Sequence, residues 1–71
     1  MKEKTVMAQR IRELRKSKNL TQARLAQLTG LKETAIRSYE NSLREPNSKA
    51  MAALEEYFNV SGAFLRGETD V

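Results

Sequence analysis

Apolar residues recur at intervals of three and four along most of this 71-residue chain, the period of a helix with one buried face. Met7, Ile11 and Leu14 set the pattern first and predict a helix over roughly Thr5 to Lys18, with Arg10, Arg12, Lys16 and Lys18 facing water. Asn19 suits the left-handed residue that ends it. Thr21 is a good N-cap for a second helix, Gln22 to about Thr29, because its hydroxyl can accept an orphan backbone N–H. Gly30 follows at the exit, where a positive φ costs glycine nothing. A third helix runs from about Lys32 to Asn41, with Lys32 standing where Ser or Thr would cap better. Leu25, Ala26, Leu28, Leu31, Ile36 and Tyr39 are expected to point inward, so Gln22–Asn41 reads as two short helices joined by a tight turn.

A loop from Ser42 to Asn47 carries Arg44 and the single proline, Pro46. Met51, Leu54 and Phe58 then predict a fourth helix near Ser48 to Phe58, ended by Asn59, with Val60 packing inward. Ser61 caps a short fifth helix that carries Phe64 and Leu65 and closes at Gly67. The expected fold is an all-α bundle of five helices over residues 1–67, with residues 68–71 as a frayed tail or the start of a linker.

A chain of this length makes one small domain, which buries only about 60% of its unfolded surface. With no cysteine and no histidine, zinc fingers, disulfides and Cys/His nucleophiles are excluded. No apolar run approaches the ~20 residues of a membrane span, and no secretory signal pattern is seen. Charge is telling by location. Residues 1–50 hold 12 basic residues against Glu3, Glu13, Glu33, Glu40 and Glu45, a net of +7. Residues 51–71 hold Arg66 against Glu55, Glu56, Glu68 and Asp70, a net of −3. A polyanion would be drawn to the first two thirds and repelled by the rest. Catalysis is not expected: there is no phosphate-binding glycine loop, and the adjacent Glu55 and Glu56 point different ways on a helix, as a solvated face would.

Spacing adds to periodicity. Counting from Gln22, alanine falls fifth, glycine ninth and isoleucine fifteenth. Ala26 lies where two helices cross, Gly30 makes the turn, and Ile36 plugs the third helix into the core beside Leu25. Together with the phrases RIRELRKSKNLTQARLAQLTGL, AIRSYENSLREP and LEEYFNVSGAFLRG, in that order, the chain resembles the phage-repressor-like (Xre/Cro) helix-turn-helix family over nearly its whole length.

That resemblance implies a compact five-helix, lambda-repressor-like domain whose third helix enters the DNA major groove. Its exposed positions, Lys32, Glu33, Thr34, Arg37 and Ser38, are then the base readers. Glu33 could accept from a cytosine amino group, Thr34 could touch a thymine methyl, and Arg37 could fork onto guanine or bind phosphate. Thr21 and Gln22, at the second helix's N-terminus, and Asn41 and Arg44, beyond the third, are implied phosphate contacts. Similar repressors pair an arginine late in the first helix with a glutamate late in the third. Here these are Arg15 and Glu40, with the remaining donors of Arg15 expected to face phosphate.

Departures from the pattern also carry expectations. Ser42 stands where glycine is usual, so a positive φ would strain it, and Leu43 replaces a basic residue. Gly62 and Ala63 make the fifth helix intrinsically weak.

The function implied is sequence-specific binding of double-stranded DNA by a transcriptional regulator, a repressor in the first instance, acting as a homodimer on an inverted repeat. Half-sites would lie about 34–36 Å apart. Val60, Phe64, Leu65 and Arg66 are the candidate dimer contacts. No cofactor, metal or membrane is expected, and the protein should be cytoplasmic, bacterial or phage-encoded, and nucleoid-associated. The alternative is a helix-turn-helix protein-interaction module such as an antitoxin. DNA binding predicts Arg10, Arg15, Arg37 and Arg44 on one face, whereas a protein partner would favour an apolar patch, hinted at by Leu43 and Tyr57.

Overall fold

Side-chain caps delimit four of the five helices. In the computed structural model, which describes residues 5–71, Thr5 Oγ1 accepts from the Ala8 N–H at 3.1 Å and begins α1, Val6–Ser17. Thr21 Oγ1 accepts from Arg24 at 3.0 Å and begins α2, Gln22–Thr29. Asn47 Oδ1 accepts from Ala50 at 2.8 Å ahead of α4, Ser48–Phe58, and Ser61 Oγ accepts from Phe64 at 3.0 Å ahead of α5, Gly62–Arg66. Only α3, Glu33–Glu40, starts uncapped, at Lys32. Each cap satisfies a donor that the helix itself leaves orphaned.

The exits are set by left-handed residues. Asn19 (φ 57°), Gly30 (74°), Ser42 (60°), Asn59 (56°) and Gly67 (83°) each lie between or after helices. Around Gly30 nothing would touch an added Cβ, so glycine is required there for its φ alone. At Gly67 a Cβ would also fall 2.7 Å from Val6 Cγ1, so the closure of α5 against α1 requires glycine twice over.

Every helix contributes one large, fully buried side chain: Ile11, Leu25, Ile36, Leu54 and Leu65 in chain order. Burying each stabilises the fold by about 2 kcal/mol relative to exposure. Met7, Ala8, Ala26, Tyr39, Ala50 and Phe58 complete this core. The molecule that results measures 29 × 27 × 24 Å, and no described helix is long and apolar enough to cross a membrane.

The predicted architecture is observed, and some individual expectations are corrected. Leu28 is exposed, because at 100° per residue it falls on the flank of the face that Leu25 and Ala26 bury. Met51 is only half-buried, and Ala50 takes the inward position of that turn. Leu65 is wholly buried, which removes it from the candidate dimer contacts. Glu55 is not part of a solvated face: its Oε1 accepts the Gly62 N–H at 2.6 Å and so caps α5 from α4. A Cβ on Gly62 would lie 3.0 Å from that oxygen, so glycine here admits the carboxylate.

Arg10 does not face water. Its Nη1 donates to the carbonyl oxygens of Phe64 and Thr69, its Nη2 meets Asp70 at 3.2 Å, and its guanidinium lies 4.2 Å from the Phe64 ring centroid. Within residues 68–71, expected to fray or lead into a linker, Thr69 and Asp70 contact Arg10 of α1. The Glu68 N–H is tied as well, to the Ala63 carbonyl. The first four residues of the expected 1–67 domain lie outside the described residues.

Candidate nucleic-acid interface

The helix-turn-helix places α2 behind α3 and leaves one side of α3 open. Ile36, Tyr39 and Glu40 face inward. Lys32, Glu33, Thr34 and Arg37 are exposed on the opposite side, and Ser38, only half-buried, lies at its edge. The helical period puts positions 33, 34 and 37 on one stripe and 36 and 39 on another, whereas Glu40, two turns beyond Glu33 on nearly the same bearing, is buried in its pairing with Arg15. Four of the five predicted base readers therefore stand together in solvent, and Ser38 has the least reach.

Beneath this surface sits a polar network that spans three helices. Arg15 Nε donates to Glu40 Oε2 at 2.7 Å and Arg15 Nη2 to Glu40 Oε1 at 2.9 Å, a two-pronged ion pair between α1 and α3. Arg15 Nη1 donates to the Leu20 carbonyl at 2.7 Å, and Gln22 Nε2 donates to Glu40 Oε1 at 3.2 Å. Glu40 is 2% exposed, so its charge is stable only because these donors surround it. The hydrogen bond to Glu40 raises the pKa of Arg15 from its ordinary value, against burial, which lowers it.

The Arg15–Glu40 pair is the one predicted from the sequence. Its phosphate role narrows, because the Leu20 carbonyl takes one of the donors expected to face outward. Gln22 likewise commits one amide hydrogen to Glu40, a role that its position at a helix N-terminus did not reveal. The signal available was length: only a long amide at the first turn of α2 could reach the last turn of α3.

On either side of the α3 stripe lie the remaining predicted contacts. Thr21 is exposed at the N-terminus of α2, where the first backbone N–H groups have no helical acceptor and a partial positive charge gathers. Asn41 and Arg44 are exposed beyond the C-terminus of α3. Lys32 and Arg44 carry no ion pair among the described residues, whereas Arg37 pairs with Glu33 at 3.1 Å. Arg10 is absent from this face because α5 and the tail hold it.

Among the described residues, no group of acidic side chains is assembled that could hold a metal ion. The arrangement offers an exposed helix face of mixed hydrogen-bonding character, flanked by a helix N-terminus and an unpaired arginine. Such a face can follow a polyanionic backbone and present short and long polar side chains to what lies between.

Comparisons with known proteins agree with this geometry. Residues 11–65 match a family model described as helix-turn-helix. The crystal structure of the P22 c2 repressor protein in complex with synthetic operator 9T superposes with a TM-score of 0.79 at 36% identity, covering 83% of this chain and 89% of that one. The solution structure of the DNA-binding domain of the same repressor gives a TM-score of 0.77 at 33% identity, covering 90% and 84%. The restriction-modification controller protein C.AhdI from Aeromonas hydrophila gives 0.77 at 30% identity, covering 86% and 92%. Among curated protein sequences none matches significantly.

Proposed function

Since this chain belongs to the Xre-type helix-turn-helix family of DNA-binding transcriptional regulators, we propose that it lays α3 in the major groove and represses transcription as a dimer on an inverted repeat. The observation that carries the reading is the exposed stripe of Lys32, Glu33, Thr34 and Arg37, held at a fixed angle by the buried Arg15–Glu40 pair beneath it. In this reading Glu33, Thr34 and Arg37 meet base edges, Lys32 and Ser38 flank them, and Thr21, Gln22, Asn41 and Arg44 meet phosphates. Arg15 acts chiefly through Glu40.

An eight-residue helix reads only a few base pairs, too few to single out a site in a genome, which is the reason for two copies on a two-fold site. Val60 and Phe64, half-buried, and Arg66, exposed, are the dimer contacts that remain after Leu65 is withdrawn. A regulator of this kind would work in the cytoplasm of a bacterium, at the nucleoid, whether host- or phage-encoded. The exposed large apolar residues, Val6, Leu28, Leu43 and Val71, lie on four different segments, and no observation favours the protein-interaction alternative.

Titration of a labelled duplex across a range of salt concentrations tests the placement of the face. The logarithm of affinity should fall linearly with the logarithm of salt, and Arg44→Ala should flatten that slope by about 0.9. Arg10→Ala should leave it unchanged. Equal effects of the two substitutions would refute the assignment.

A further inference from the structure

Glu33 is an odd residue to find at the mouth of a surface meant for a polyanion. It opens α3, where the uncapped Lys32 leaves backbone N–H groups to be satisfied, and a carboxylate there interacts favourably with the helix dipole. Yet it lies in the stripe that the reading above turns toward DNA, and it is 47% exposed. One turn on, Arg37 Nη2 donates to Glu33 Oε2 at 3.1 Å, with Arg37 52% exposed. Neither side chain has another partner among the described residues. The pair therefore stands as a unit on open surface, with the Nε and Nη1 groups of Arg37 uncommitted.

We infer that Glu33 is a positioning residue that sets what Arg37 may read, so that the two form one coupled reader and not two independent ones. This rests on the DNA-binding reading above. A free arginine on this stripe could swing to a phosphate or to any acceptor in the groove, since its stem is long and its fork suits both. Tethered to Glu33, the guanidinium keeps its remaining edge for a guanine at one place. The second carboxylate oxygen of Glu33 stays open to a cytosine amino group on a neighbouring base pair. The paired heads lie 3.1 Å apart, against about 3.4 Å per base step, so together they can reach adjacent base pairs.

The carboxylate also rejects. Without a cytosine amino group to meet, it faces acceptors and phosphates and repels them, which weakens binding to every wrong sequence. Specificity then comes with a cost in raw affinity. Removing the carboxylate should make the protein a tighter but less selective binder.

The test compares DNA motifs enriched from a random duplex pool by the wild-type chain, by Glu33→Gln, by Arg37→Ala and by the double variant, with salt-dependent affinity for an unrelated duplex measured in parallel. Glu33→Gln should blur the base pair that Arg37→Ala blurs in addition to the neighbouring pair that its own carboxylate meets. It should also bind the unrelated duplex several-fold more tightly, with a salt slope steeper by about 0.9 as Arg37 moves to a phosphate. The double variant should bind the unrelated duplex better than Arg37→Ala alone, because it no longer carries an unpaired carboxylate. A motif in which the two single variants blur separate base pairs, or an unchanged affinity of Glu33→Gln for the unrelated duplex, would overturn the coupling. Failure of the wild-type chain to enrich any motif would remove the DNA-reading function and this inference with it. Because that result shows in the wild-type arm alone, the two failures are distinguishable.

Discussion

The hydroxyl oxygen of Ser42 accepts the backbone N–H of Thr5 at 2.9 Å, joining the exit of α3 to the start of α1, 37 residues earlier. Ser42 holds φ at 60°, a conformation that costs a residue with a Cβ roughly 1 kcal/mol. Its side chain returns a comparable amount through this bond. The two replacements at this position should therefore separate. Ser42→Ala keeps the strain and loses the bond, and should lower stability by about 1 kcal/mol. Ser42→Gly loses both and should remain within about 0.5 kcal/mol of the wild type. Urea midpoints of the two variants decide it, and equal midpoints would count against the bond.

The Arg15–Glu40 pair should behave as a buried unit. Arg15→Met strands a carboxylate that is 2% exposed and should cost about 3 kcal/mol. Adding Glu40→Leu should recover part of that loss, since no uncompensated buried charge is then left behind. Strict additivity in the double-mutant cycle would contradict the network. The raised pKa of Arg15 fixes the sign of its pH dependence: a cation that gains a partner is stabilising below its unfolded value and loses that only above its folded one. Both lie far above neutral, so the arginine's share of stability should stay constant between about pH 6 and 9.

Arg10 should matter for folding and not for DNA. Its guanidinium serves two carbonyl groups and the Phe64 ring, each a contact worth roughly 1 kcal/mol or less at a partly exposed site. Arg10→Ala should lower the unfolding midpoint and speed proteolysis of the tail, with the salt slope of DNA binding untouched. A flattened slope would return Arg10 to the interface.

Gly67→Ala should be among the worst single substitutions outside the core. The new methyl group meets Val6 Cγ1 at 2.7 Å on a backbone held at φ 83°, for a loss of about 2 kcal/mol. Val6→Ala in the same chain should recover the steric part and leave the backbone part, which thermal unfolding of the three variants can separate.

The helices and the site were legible to different depths. Thr21, Gly30, Asn19 and Ser61 announce their roles locally, because caps and left-handed exits depend on residues a few positions apart. The stripe of Glu33, Thr34 and Arg37 followed from period once Ile36 and Tyr39 were set inward, whereas Lys32, four residues before Ile36, is exposed because it precedes the helix as its N-cap. What stayed hidden lies far apart in sequence. Arg10 reads as a solvent cation until Phe64 and Thr69 are brought beside it, and Glu55 reads as surface until Gly62 folds under it. Leu28 misled for another reason: two periodic positions beside it already filled the face, leaving a third leucine on the flank. Leu65 shows the converse, an apolar residue in a weak five-residue helix that the core takes entirely.

Enrichment of random duplex DNA by the purified wild-type chain, at near-physiological salt with excess competitor, tests the central claim most directly. The expected product is an inverted repeat whose half-sites lie about one helical turn apart, centre to centre, or a multiple of it. Recovery of no motif, with only salt-sensitive binding that is indifferent to sequence, would contradict it.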